Sequence, residues 1–256
     1  MPKVAILSDI HSNLPALNQV LRDVAQSGAE TVYFLGDIVG YGAQPAECVE
    51  WVRKLGSRCV MGNHDLAMLQ YRRPGYEPPQ KNWRKDDYAA GLMHSARSLD
   101  DAQAEWVRAL PFWGRIPGAV VAHASLDDPG HFNYIEDAGS AAPTLESLAT
   151  MAEPVGFFGH THRQEFFAAD PDGIEVLSAQ RFRIPEGMPC AVMVGSVGQN
   201  RHETDRRACW VLWDPVTREF EFRGVEYDRR EAARRIIAAG LPRDGAMRLL
   251  APDEGI

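Results

Sequence analysis

Five short apolar stretches of the chain each run into side chains that could ligate a metal. Val4-Ala5-Ile6-Leu7 leads to Ser8-Asp9-Ile10-His11, and Val32-Tyr33-Phe34-Leu35-Gly36 leads to Asp37. Cys59-Val60-Met61-Gly62 leads to Asn63-His64-Asp65, Val120-Val121-Ala122 to His123, and Val155-Gly156-Phe157-Phe158-Gly159 to His160-Thr161-His162. In open α/β sheets ligands bind outside the carboxyl ends of the strands. Five such strands would deliver carboxylates, an amide oxygen and several imidazoles to a single edge. That donor set, without sulfur, suits Mn, Fe, Zn or Ni. In Asp9-x-His11 and His160-x-His162 the spacing of two puts both members on one face if the backbone stays extended. Gly36, Gly62 and Gly159 each precede a candidate ligand, where a missing Cβ lets the backbone turn and approach closely. Taken singly, Asp9, Asp37 and Asn63 would read as helix caps or turn residues, and His123 as a hydrogen-bonded core histidine. Their recurrence after five apolar runs is what argues against those plainer readings.

The elements that would carry these residues can be read from periodicity. Lys3 to Ser8, Thr31 to Leu35 and Arg58 to Met61 read as strands. Between them, Leu14, Leu17, Leu21 and Val24 recur at helical spacing. Pro45 can open a second helix carrying Val49, Val52 and Leu55, with Gly56 as its stop. This β-α-β-α-β order points to a parallel sheet with crossover helices. Residues 70–117 break the rhythm at Pro74-Gly75 and read as an insertion, with helices near 83–98 and 101–110, that could overhang a site. Ala119 to Ala122 and Val155 to Phe158 are further strands. After residue 173 the chain is strand-rich: Gly173 to Leu177, Cys190 to Val194, Ala208 to Trp213 and Arg218 to Tyr227. A helix over 229–239 and a loose tail complete a single domain of 256 residues.

The matching pieces, Ser8-Asp9-Ile10-His11-Ser12-Asn13, Gly36-Asp37, Gly62-Asn63-His64-Asp65, His123 and Gly159-His160-Thr161-His162, stand in one order across residues 8–162. With them the chain resembles the calcineurin-like metallophosphoesterases. Val194-Gly195-Ser196-Val197-Gly198-Gln199 also resembles a later strand and turn of the compact bacterial and archaeal phosphodiesterase branch. The resemblance implies an α/β (α+β) fold, a four-layer αββα sandwich of two mixed β-sheets flanked by helices. It implies one metal on Asp9, His11, Asp37 and His162, and another on Asp37, Asn63, His123 and His160. Asp37 would bridge the pair, and His64 would stand free of the metals beside the leaving group. Two divalent cations held by only two carboxylates keep positive charge for a hydroxide and a phosphodiester monoanion. Metal coordination brings the pKa of water from 15.7 to about 7. The implied reaction is therefore phosphodiester hydrolysis by metal-bound hydroxide, with His64 as general acid for the leaving alkoxide. A nucleotide phosphomonoesterase or pyrophosphohydrolase on the same site is one alternative. A non-catalytic scaffold is another, although that route usually loses ligands that are all present here.

The chain departs from the protein-phosphatase and dinucleoside-tetraphosphatase branches at Gly40 and Tyr41, where those branches carry an Asp-Arg pair. The acid that would support His64 and an arginine that would grip phosphate are thus missing. Arg201, beyond the Gly198 turn, could bind a phosphate oxygen through its planar fork. His94, His131 and His202 fit structural or solvated positions better than catalytic ones. Composition narrows the partners. Net charge is −8, from 27 Lys+Arg against 35 Asp+Glu, which argues against an extended nucleic-acid surface and leaves a small phosphoester as the expected partner. The basic run Arg229-Arg230 to Arg234-Arg235 is interleaved with apolar residues and reads as the wet face of a helix. No apolar run is long enough for a membrane span. Cys48, Cys59, Cys190 and Cys209 form no C-x-x-C pair, and four reduced thiols fit a cytoplasmic protein. A homo-oligomer stays open.

Overall fold

Alternation within the first strand sets the layering. In β1 (Val4–Leu7), Val4 and Ile6 enter one apolar cluster while Ala5 and Leu7 enter another, as the period of two along a strand requires. Both faces are covered, the usual condition of a parallel sheet. The chain continues through α1 (Leu14–Gln26), β2 (Thr31–Phe34), α2 (Pro45–Lys54) and β3 (Arg58–Cys59), and the three strands pair in parallel. Helix α1 starts where the Asn13 side chain accepts from the Ala16 N–H at 3.2 Å, with Pro15 in its first turn.

The computed structural model describes residues 1–55, 58–78, 82–170, 173–177, 179–202, 205–251 and 255; Gly56, the expected stop of α2, lies outside them. Three helices follow β3: α3 (Asn63–Tyr71), α4 (Asp87–Ser98) and α5 (Asp101–Arg108). They bury Met68, Leu92 and Val107 in the same cluster as α1 and α2. Much of the 70–117 stretch is therefore packed into a helix layer. The second half runs β4 (Trp113–Ile116), β5 (Ala119–Ala122), α6 (Ala138–Ala149), β6 (Val155–Phe158), β7 (Gln164–Asp170), β8 (Gly173–Leu177) and β9 (Arg181–Arg183). It ends with β10 (Cys190–Val194), β11 (Ala208–Asp214), β12 (Glu219–Val225), α7 (Arg229–Ala238) and α8 (Arg243–Met247).

One six-stranded sheet has the order β3-β2-β1-β11-β12-β9 and the other β4-β5-β6-β10-β7-β8. Each is mixed. β5, β6 and β10 are parallel neighbours, as β1, β2 and β3 are, while β11 and β7 pair antiparallel to β1 and β10. The sheets face each other through Val4, Ile6, Trp213 and Phe220 on one side and Val121, Phe157, Phe166 and Val192 on the other. Helix α6 covers the far face of the second sheet with Ala141, Leu145 and Leu148 over Val120, Ala122 and Phe158. The result is the four-layer αββα sandwich of two mixed sheets expected from the sequence.

Three strands and three helices go beyond the sequence reading. The strands are β4, β7 and β9; the helices are α3, α6 and α8. The tail is a correction. It is not loose, because α8 and the following Leu249 and Leu250 bury against Ala232, Ala233 and Ile236 of α7.

Candidate metal centre

The carboxyl ends of β1, β2, β3, β5 and β6 meet at one rim. The local backbone there differs from the expected one. Asp9, His11, Asp37, His160 and His162 have φ of 55, 47, 51, 67 and 62°, so the Asp-x-His and His-x-His pairs converge through left-handed turns and not along extended chain. Such a conformation is sparsely populated for residues with a side chain and costs on the order of 1–3 kcal/mol each. Backbone bonds between the strand ends hold it: Asp9 N–H to Gly36 O (3.1 Å), His11 N–H to Asp37 O (2.9 Å), Gly159 N–H to His123 O (2.7 Å) and Gly198 N–H to Asp9 O (2.9 Å).

Two glycines permit the close approach. A Cβ on Gly62 would overlap Asp37 Oδ1, and one on Gly159 would overlap Ser8 Oγ and Asp9 Oδ2. Gly159→Ala should therefore displace Asp9 and cost roughly 1–3 kcal/mol of stability, as overpacking does. Chemical denaturation together with metal content checks this; an unchanged midpoint and full metal loading would contradict it.

Within this frame the ligand candidates form overlapping groups. Asp9, His11 and His162 bring donor atoms within 4.8 Å of one another, and so do Asp37, His123 and His160; His11, Asp37 and His64 form a third such group that shares a residue with each. Asn63 joins the second group, its Oδ1 lying 3.1 Å from His123 Nε2. Asp37 stands between the groups, with Oδ2 at 3.7 Å from His11 Nε2 and 3.4 Å from His123 Nε2. His64 is near but farther out, its Nε2 at 3.9 Å from Asp37 Oδ2. All seven expected ligands and His64 thus come together. No cysteine joins these groups among the described residues, and all four thiols are free and buried.

The donor atoms are aimed inward by bonds on their outer side. His11, His123 and His162 each turn Nδ1 to a backbone carbonyl, of Val39 (3.2 Å), Leu35 (2.6 Å) and Gln199 (2.7 Å). Such a carbonyl holds the proton on Nδ1 and leaves the Nε2 lone pair for a ligand role. The carboxylates are oriented similarly: Asp9 Oδ2 accepts from the His160 N–H at 3.0 Å and Asp37 Oδ1 from the His64 N–H at 2.8 Å. Asp65 accepts from the N–H groups of Ile38, Val39 and Gly62 and so pins the loop after Asp37 to the start of α3.

What remains unpaired is informative. Asp9 Oδ1 and His160 Nε2 are buried without a hydrogen-bond partner, and the Nε2 atoms of His11 and His162 face each other at 3.1 Å. Buried polar atoms are normally satisfied. Inward-facing lone pairs and carboxylate oxygens fit cations, so these residues suit a metal.

Electrostatics follow from the crowding. Burial would raise Asp9 and Asp37, but the neighbouring histidines, His162 for Asp9 and His123 for Asp37, outweigh it and hold both carboxyls below the usual range. Burial pushes His64 and His162 down and, with His123 beside it, takes His160 to about 3. His123 goes the other way: burial opposes its charge, yet Asp37 raises it to about 9. Asp65 rises to about 7 through burial and the proximity of Asp37, against the pull of its N–H donors.

The rim is aromatic, which the sequence reading did not anticipate. Tyr134 lies over His160 with ring centroids 3.8 Å apart, Phe132 meets His123 at 5.8 Å, and Tyr41 and Tyr88 flank His64. The only sequence signal was the Phe132-Asn133-Tyr134 loop after the Asp127–Gly130 turn. Arg201 is exposed beside the centre, its N–H bonded to His162 O at 3.4 Å, and makes no side-chain bond to the ligand groups among the contacts described. His94 Nε2 donates to Ala43 O at 2.9 Å, His131 pairs with Asp128 at the surface, and His202 is exposed. They stay outside the centre. On α7, Arg229, Arg234 and Arg235 pair with Glu226 and Glu231, the wet helix face expected. No described helix is long and apolar enough to cross a membrane.

Comparison with known proteins agrees with this geometry. A family model described as calcineurin-like phosphoesterase matches residues 2–164, the span that holds every ligand candidate. A protein of Methanocaldococcus jannaschii, MJ0912, is 30% identical over 93% of each chain. A symmetrical bis(5'-nucleosyl)-tetraphosphatase of Vibrio cholerae is 28% identical over 58% of this chain, which spans about half of that relative (52%). The crystal structure of a metallophosphoesterase from Sphaerobacter thermophilus superposes with a TM-score of 0.82 at 29% identity, over 96% of this chain and 98% of that one. The chain thus belongs to the calcineurin-like phosphoesterase family and is a metal-dependent phosphoric ester hydrolase.

Proposed function

We propose that the chain is a phosphodiesterase with two divalent cations, Mn, Fe, Zn or Ni, sharing Asp37. The observation that carries this reading is the position of Asp37 Oδ2 between His11 and His123, each of which belongs to a separate ligand group. Asp9, His11, Asp37 and His162 would hold one cation, and Asp37, Asn63, His123 and His160 the other. When bound, such a pair supplies a water of lowered pKa and a clamp for the attacking and leaving oxygens.

The chain's own residues do the rest. The carbonyls of Val39, Leu35 and Gln199 hold a proton on Nδ1 of His11, His123 and His162 and aim their Nε2 atoms inward. Only two of the seven ligands are acids, so the centre favours an anionic phosphate group. His64 stands at the edge of the centre, where its protonated form would give a proton to the departing oxygen. Arg201, exposed beside His162, takes a non-bridging phosphate oxygen. The substrate is a small phosphoester, as the aromatic rim and the net negative charge of −8 suggest. Four free, buried thiols suit a reducing compartment.

A second reading, a nucleotide pyrophosphohydrolase on the same site, draws support from the Vibrio cholerae relative. Gly40 and Tyr41, at the positions of that branch's Asp-Arg pair, speak against it. A panel of aryl and alkyl phosphodiesters, phosphomonoesters and dinucleoside tetraphosphates at equal metal loading decides. The diesters should have the highest kcat/KM; a preference for monoesters or tetraphosphates would overturn the first reading.

A further inference from the structure

His64 lacks the support that a catalytic histidine usually receives. Its Nδ1 is buried with no hydrogen-bond partner, and the space in front of that nitrogen is closed, since a Cβ on Gly40 would overlap it. No carboxylate at residue 40 could fit without moving the ring. The imidazole is instead boxed by rings. Tyr41 lies 4.6 Å from it at 50°, His11 4.6 Å at 69°, and Tyr88 4.8 Å at 72°.

The box is built by α4. Gly91 lets the helix approach so closely that a Cβ there would overlap the Tyr41 backbone. Ser95 Oγ accepts from the Gly40 N–H at 3.2 Å while donating to Gly91 O. Tyr41 itself sits at φ 48°, a conformation that needs such support. Arg248 after α8 grips Asp87 at 2.7 Å and ties the start of α4 to the C-terminal helices. Edge-to-face ring contacts have a preferred geometry, so Tyr88, with the tilted Tyr41 ring on another side, can fix a ring plane that no side-chain hydrogen bond fixes.

We infer that Tyr88, with Tyr41, is a positioning residue: its ring holds the His64 imidazole toward the leaving group in place of a hydrogen-bonded acid. This rests on the assignment of His64 as proton donor. The test compares wild type, Tyr88→Ala, Tyr88→Phe and His64→Ala as full-length, metal-loaded protein, on a p-nitrophenyl diester and an alkyl diester. Tyr88→Ala should lose ~10-fold or more in kcat on the alkyl ester, a share of the ~10²–10⁴ that a placed acid contributes, with metal content, KM and the nitrophenyl rate nearly unchanged. Tyr88→Phe should restore the rate, because the ring and not the hydroxyl acts. In the zinc-loaded protein the His64 ring-proton NMR shifts should move in Tyr88→Ala and stay in Tyr88→Phe.

Equal losses on both esters, a change in KM alone, failure of phenylalanine to rescue, or unmoved His64 shifts would each overturn the inference while leaving the His64 assignment standing. If His64→Ala itself shows no preference between the esters, that assignment fails and the inference falls with it.

Discussion

Replacing Asp37 by asparagine is expected to lower phosphoester hydrolysis by more than ~100-fold, beyond the ~10–100-fold that loss of an outer-shell partner costs a metal site. Asp37 is fully buried and its two oxygens have separate duties. Oδ1 accepts the His64 N–H at 2.8 Å, which an amide oxygen can continue to do. Oδ2 faces His11 at 3.7 Å and His123 at 3.4 Å and is the atom that the proposed centre would share between its two cations. The substitution therefore keeps the start of α3 in place and removes the charge that both groups need. Asp9→Asn is the informative control. Asp9 belongs to the His11–His162 group alone, so that variant should lose metal from one position and keep the other. Metal content measured beside activity separates the two outcomes: equal metal loss from both variants would mean that Asp37 is not shared.

The second large effect concerns the leaving group. His64→Ala should retain its metals and lose ~10²–10⁴-fold on diesters with alkyl leaving groups, the contribution typical of a placed general acid. A p-nitrophenolate leaves without protonation, so hydrolysis of that ester should fall far less. His64 Nε2 lies 3.9 Å from Asp37 Oδ2 and within reach of His11, so metal content is measured beside the rates to separate a lost proton donor from a lost ligand. Rates on a series of esters graded by leaving-group pKa give the answer. A uniform loss across the series, or full activity on the alkyl ester, would remove His64 from that role.

The most legible strands were those buried along their whole length: β5, β6 and β10 begin and end where their apolar runs do. β8 was legible too, although it is half exposed. The difficult parts have specific causes. In β7 the adjacent Phe166 and Phe167 go to opposite cores, so no alternation of polar and apolar residues marks the strand. β9 is Arg181-Phe182-Arg183, a short edge strand pairing only with β12, and charged edges are ordinary. Helix α3 starts at the ligand Asn63 behind Gly62, with no side-chain cap, and its first residues read as loop chemistry. Helix α6 is capped by Asp137, which accepts from the Ser140 N–H at 2.8 Å, a signal the sequence reading passed over, and Pro143 inside the helix hid its course.

At the centre the candidate ligands were legible as a set because each one follows an apolar run, and the structure brings them together. Their backbone was not. An extended chain would present Asp9 and His11 on one face, and the structure reaches the same convergence through left-handed residues tied to neighbouring strand ends. Long-range hydrogen bonds such as His11 N–H to Asp37 O leave no trace in local spacing. The aromatic rim was hidden for the same reason: Tyr41, Tyr88 and Tyr134 come from three separate segments.

Calorimetric titration of the metal-stripped, full-length protein with Mn²⁺, checked by elemental analysis of the loaded protein, tests the shared-carboxylate centre most directly. The account requires two equivalents per chain in the wild type and a single equivalent in Asp9→Asn. Saturation of the wild type at one equivalent, or no binding at all, would contradict it.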